Sequence, residues 1–156
     1  MHALSRRVKA GHHPRMTIHT DALSNWQGRR APSLDDITQI AQVALADLPE
    51  PFAGLTRDVV VRVEDFPDQD VMTEMGLETP FDILGLYSGS MTPYRETGDM
   101  GGTVNMVFLY RRPLLDYWAE YDETLGHLVR HVLIHEIGHH MGLSDEAMHA
   151  LEEQAD

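Results

Sequence analysis

The sequence predicts an α+β domain, and three observations predict it. Apolar residues recur at helical spacing over 34–48 and again over 125–141, each run preceded by a residue suited to capping a helix. Stretches at 58–65 and 103–110 alternate their side chains at the two-residue period of a strand. At 156 residues the chain is long enough to bury one sizeable core and too short for two.

Residues 1–32 are polar and basic and lack periodicity, which predicts a flexible tail ahead of a single domain over 33–156. Met16 has the look of a start, so residues 1–15 read as an upstream extension or a cloning remnant, with His12 and His13 incidental to function. Ser33 caps the first helix with Asp36 completing an acidic capping box, and Leu34, Ile37, Ile40, Ala41, Ala44, Leu45 and Leu48 form its apolar face. Pro49 and Pro51 end it. Val59, Val61 and Val63 then mark one face of a strand over 58–65. A short helix over 68–76 stops at Gly76, and Phe81–Tyr87 is a second strand candidate. Glycines and Pro93 make 88–102 a loop, at the mouth of any site that follows. Thr103–Tyr110 is the clearest strand, with Val104, Met106 and Phe108 on one face and Asn105, Val107 and Leu109 on the other. Pro113 begins a helix through Leu114, Leu115, Trp118 and Tyr121. Thr124 caps the next, whose Leu125, Leu128, Val129, Val132 and Leu133 face the core. Ser144 or Asp145 opens a last short helix containing Ala147, Met148 and Leu151.

The net charge of −13 is unevenly spread, with +5 on residues 1–31 and −18 on the rest. Such a body repels nucleic acid and anionic membrane, so neither is an expected partner. The chain has no cysteine, which excludes disulfides and thiolate metal ligands. No apolar run approaches a membrane span, and no hydrophobic leader opens the chain, so cytoplasm is the expected compartment. A monomer is the expected state.

The chemistry is concentrated in His135-Glu136-x-x-His139-x-x-Gly142-x-x-Asp145. Residues four apart share one helix face, so His135 and His139 aim two imidazoles at one point, as a zinc ion requires. Glu136, one residue round, is placed to take a proton from a metal-bound water. A catalytic zinc takes three protein ligands and leaves a position open. Gly142 can adopt the left-handed conformation that turns the chain back, which makes Asp145 the leading third ligand. His140 is its first rival and His149 its second. Asp145 carries a competing role, because an aspartate ahead of an apolar helix is a normal N-cap. His127 and His131 continue the four-residue ladder backwards, but each step drifts about 40° around the helix and carries them away from the metal. Tyr87, Tyr94, Tyr110, Tyr117, Tyr121 and Asp116 are candidates for supporting roles, and spacing does not choose among them.

Three blocks together, Phe81–Tyr87, Leu109–Asp116 and His135–Glu146, resemble the small bacterial minimal zincin family of metallopeptidases. The long motif is also similar to that of metzincins, with Asp145 where many of those have histidine. No Met-turn block of the metzincin kind follows, although Met148 is near enough in sequence to sit beside the metal. The resemblance implies a compact zincin fold, a small mixed sheet packed against the motif helix. It also implies one zinc per chain and hydrolysis of peptide or protein substrates by Glu136-assisted attack of a zinc-bound water. In such folds a sheet edge aligns extended peptide, and Thr103–Tyr110 is the candidate for that edge. Two other classes remain. A zinc-stabilised binding module without catalysis would use a closed, four-ligand site. A metal-dependent ribonuclease would share a related histidine pattern, but Glu136 and the acidic body oppose it.

Overall fold

A computed structural model describes residues 26–50, 52–89 and 105–154. The expected tail up to residue 25, the loop over 90–104 with Tyr94, and Val104 lie outside the described residues. The chain divides into two units, Met1–Ala31 and Pro32–Asp156. In the described part of the first, the Arg29 guanidinium sits 5.8 Å from the Trp26 ring centre. Every element below belongs to the second.

Helix α1 (Leu34–Ala46) begins at the expected capping box. Asp36 N–H donates to Ser33 Oγ (3.0 Å) and Ser33 N–H to Asp36 Oδ2 (2.9 Å), so two otherwise orphaned donors satisfy each other's residues. Ile37 and Ala41 are fully buried, whereas Leu34 is exposed rather than part of the apolar face. Helix α2 (Phe52–Leu55) drops Phe52 into the core. Strand β1 (Val60–Glu64) follows, and the valine alternation holds. Val59, Val61 and Val63 pack on the core while Val60 and Arg62 are exposed. Helix α3 (Gln69–Glu74) is capped by Asp68 and ends where Gly76 turns to φ +64°.

The second strand candidate forms only in part. Strand β2 is Gly85–Ser88. The stretch before it is a turn, because the Asp82 carboxylate accepts from the N–H groups of Glu78 (3.0 Å) and Thr79 (2.9 Å) and from the Thr79 hydroxyl (3.1 Å). Within the same turn the N–H groups of Phe81 and Asp82 donate back to Thr79 Oγ1 (3.1 Å) and Thr79 O (3.2 Å), so they are not available to a ladder. Strand β3 (Met106–Tyr110) buries Val107 and Leu109 completely.

The three-stranded sheet has the order β1-β3-β2, with β1 parallel and β2 antiparallel to β3. This overturns the expectation that β3 offers a sheet edge to peptide. Both of its sides are already hydrogen-bonded to neighbours, so it has no free backbone groups to give. Tyr110 N–H donates to Leu84 O (3.0 Å). By the alternation of an antiparallel ladder, the Gly85 and Tyr87 N–H groups therefore point away from β3.

Helix α4 (Arg111–Glu120) starts directly from β3, two residues ahead of Pro113, which falls in the first turn where its missing donor is not needed. Helix α5 (Leu125–His140) is capped by Thr124, whose hydroxyl accepts from His127 N–H (3.1 Å). It is the central element of the fold. Leu128, Val129, Leu133, Ile134 and Ile137 are 1% exposed or less, and α5 packs on α1, α4, β2, β3 and the last helix, α6 (Asp145–Glu153).

Candidate metal and catalytic site

Two close approaches fix where α5 sits. A side chain at Gly85 would bring its Cβ to 2.8 Å from Val132 Cγ1 and 3.0 Å from Phe108 O, so the bare backbone of β2 lets the helix come against the sheet. A Cβ at Gly138 would stand 2.5 Å from Met148 Sδ, so α6 also rests on α5 at a glycine. Met148 is fully buried in that contact; its place in the fold is a core position against Gly138.

The turn between the two helices forms as the sequence predicts. Gly142 has φ +74°, Leu143 N–H donates to Gly138 O (2.9 Å) and Gly142 N–H to His139 O (3.1 Å). This is a Schellman closure, and it reverses the chain so that α6 runs back along α5. Ser144 caps α6 by accepting from Ala147 N–H (3.2 Å). The competition over Asp145 is thereby resolved: Ser144 takes the capping role and leaves the Asp145 carboxylate to face His139.

The ligating atoms of His135, His139 and Asp145 lie within 4.8 Å of one another, with His139 Nε2 3.4 Å from Asp145 Oδ1. Two ligands about 2.0–2.1 Å from a tetrahedral zinc stand about 3.3 Å apart, so two nitrogens and a carboxylate oxygen at this spacing suit that ion. We call this the outer cluster. His139 and Asp145 are 59% and 88% exposed, which leaves the approach from solvent open. The rival third ligands turn elsewhere. His140 stacks on Tyr87 with ring centres 4.0 Å apart, and exposed His149 pairs with Glu153 at 3.3 Å.

A second cluster joins His131, His135 and Glu152. Glu152 Oε1 is 2.8 Å from His131 Nδ1 and 3.1 Å from His135 Nε2. We call this the inner cluster, since the Glu152 side chain is only 13% exposed. His131 is not part of the outer cluster; α6 comes back along the helix and brings a separate carboxylate to meet it. His127 is the one ladder histidine turned elsewhere, to Glu123 at 3.0 Å. Sequence reasoning missed Glu152. The available signal was its position seven residues after Asp145, two helical turns on, which puts both carboxylates on one face of α6.

Glu136 lies on the sheet side of α5. The Tyr87 N–H, aimed outward from β2, faces its carboxylate and favours the ionised form. Burial pushes the Glu136 carboxyl above the usual range, and both nearby His139 and the Tyr87 N–H partly oppose that rise. Burial, followed by the charge of His131, lowers the pKa of the His135 imidazole and so favours the neutral form that binds metals. Tyr110 is buried and protonated, pushed up to about 12 by burial and by Glu64, Asp68 and Glu136. Of the candidate tyrosines described, Tyr87 faces Glu136 through its N–H, and Tyr110 feels the Glu136 charge. Tyr117 and Tyr121 pair with each other, ring centres 4.3 Å apart.

A family model described as zincin-like metallopeptidase matches residues 56–155, which include both clusters and the whole sheet. The chain belongs to the zincin-like metallopeptidase family. Membership implies a zinc cofactor and hydrolase chemistry, and the donor set of the outer cluster fits that metal. No curated protein matches the chain. Among the described residues no helix is long and apolar enough to cross a membrane.

Proposed function

We propose that this zincin-like protein hydrolyses peptide bonds with one zinc per chain, held by His135, His139 and Asp145, and with Glu136 as general base. The observation that carries the reading is the position of Glu136: half-buried on α5, next to His135 and three residues before His139, at the edge of the three-ligand outer cluster. A bound zinc supplies a Lewis acid that acidifies water and polarises a carbonyl. The chain's own residues do the rest. Burial makes Glu136 a stronger base than an exposed carboxylate, so it can accept a proton from the attacking water and return one to the leaving amine. The Tyr87 N–H faces that carboxylate and favours its ionised form, and the His140 ring stacks on Tyr87 beside it. The exposed His139 and Asp145 leave room for a polypeptide to approach. The −18 charge on residues 32–156 favours peptide or protein over nucleic acid and anionic membrane as the partner, and fits a monomer acting in the cytoplasm.

The test is cleavage of a mixed peptide library by zinc-loaded protein, followed by mass spectrometry. Cleavage by the wild type that disappears in Glu136→Gln, with zinc content unchanged, supports the proposal. Equal cleavage by both proteins, or none by the zinc-loaded wild type, overturns it.

A further inference from the structure

We infer that His131, His135 and Glu152 form a second station for the zinc ion, one helical turn from the outer cluster, where the ion is held away from Glu136. The inference rests on the outer cluster being the catalytic station. Three features of the inner cluster carry it. Its ligand atoms lie within 4.8 Å of one another, and its 2.8 and 3.1 Å nitrogen–oxygen separations approach those of ligands around one zinc. Glu152 Oε1 is buried from solvent, and neither imidazole contact has hydrogen-bond geometry, so the oxygen has no partner that satisfies it. A buried carboxylate oxygen in that condition is costly, and a cation between it and the two imidazoles removes the cost. The His131 and His135 rings are also already gathered on that side, with centres 4.2 Å apart.

The two stations share His135, and this makes them alternatives. A neutral imidazole has one acceptor nitrogen, the other being protonated, so His135 serves one ion at a time. Occupancy stays at one zinc per chain while its position changes. The stations are four residues apart on α5, about 6 Å along the axis at 1.5 Å per residue. Glu136 lies about 1.5 Å along that axis from the midpoint of His135 and His139, but about 4.5 Å from the midpoint of His131 and His135. An ion at the inner station is thus out of register with the general base. It is also enclosed by the less exposed carboxylate, so the protein holds its metal there in a latent form.

Zinc titrations of metal-free protein test this through affinity alone, with circular dichroism confirming that each variant is folded. Asp145→Ala is expected to retain about one zinc per chain. Adding Glu152→Gln, or separately His131→Ala, should then weaken binding by more than the roughly 10–100-fold expected on losing an outer hydrogen-bond partner. Asp145→Ala that binds no zinc overturns the inner station, as does binding that neither second substitution weakens beyond that range. Failure of the catalytic reading shows separately, as absence of Glu136-dependent cleavage by the wild type.

Discussion

The two clusters on α5 share a histidine and differ in almost everything else. The outer one sits where the chain turns, and Asp145, 88% exposed, reaches it from the first residue of α6. The inner one lies a turn deeper, and its carboxylate comes from the far end of α6 at 13% exposure. Only the outer one is level with Glu136. The contrast teaches that affinity and reactivity are set by different features of one helix pair. A dry, enclosed carboxylate holds a cation well, whereas a reactive site needs an exposed ligand, an open position and a base at the right height.

The sharpest way to break the comparison is Glu136→Gln. If the outer cluster is where chemistry occurs, cleavage falls by about 10²–10⁴-fold, the usual range for a general base, while zinc affinity is kept. Steady-state peptide cleavage beside a zinc titration checks both halves. Asp145→Ala should match that loss of cleavage at saturating zinc; next in size, His131→Ala should raise cleavage at limiting zinc by emptying the competing station. A fall in cleavage at limiting zinc on His131→Ala would mean that His131 serves the catalytic state.

Gly138→Ala strikes both clusters together. Its Cβ would stand 2.5 Å from Met148 Sδ, and Met148 is the fully buried contact that seats α6 with both carboxylates. Overpacking of this kind costs about 1–3 kcal/mol, read by denaturant unfolding of the metal-free protein, and zinc affinity should fall as well. Gly142→Ala should cost less, about 1 kcal/mol, because nothing crowds the new methyl group and only the left-handed φ of +74° opposes it.

The smallest effect is in pH dependence. Burial raises the Glu136 pKa in the folded protein above its unfolded value. The unfolded chain therefore ionises first, and the metal-free fold loses stability as pH rises through the raised value. Glu136→Gln removes this loss. Its thermal midpoint without metal should match the wild type in acid and exceed it at neutral pH, where Glu136 is ionised in the unfolded chain. A gap that widens toward acid instead would mean the carboxylate is stabilised as an anion by its surroundings.

Local features were legible in the sequence because local forces make them. The capping box at Ser33 and Asp36, the valine alternation of β1, the Thr124 cap and the turn at Gly142 each depend on residues within five positions. The spacing of His135, Glu136 and His139 follows from helix geometry alone, and the short reach from Gly142 to Asp145 brought the third candidate with it. Where the sequence misled, a neighbour overrode a pattern. Thr79 took the N–H groups of Phe81 and Asp82 at the start of a stretch that looked like strand, and pairing on both sides of β3 removed its edge.

The amino-acid sequence by itself determined the helix with its histidines, the turn that ends it and the family to which they point. Only the tertiary structure decided that Tyr87 comes to face Glu136 and that Glu152 meets His131 and His135. The physical reason is distance along the chain. Backbone geometry relates residues one turn apart whatever surrounds them. Residues 17 to 49 positions apart, such as Glu152 with His135 or Tyr87 with Glu136, meet only after Gly85 and Gly138 have let the sheet and the last helix close on α5.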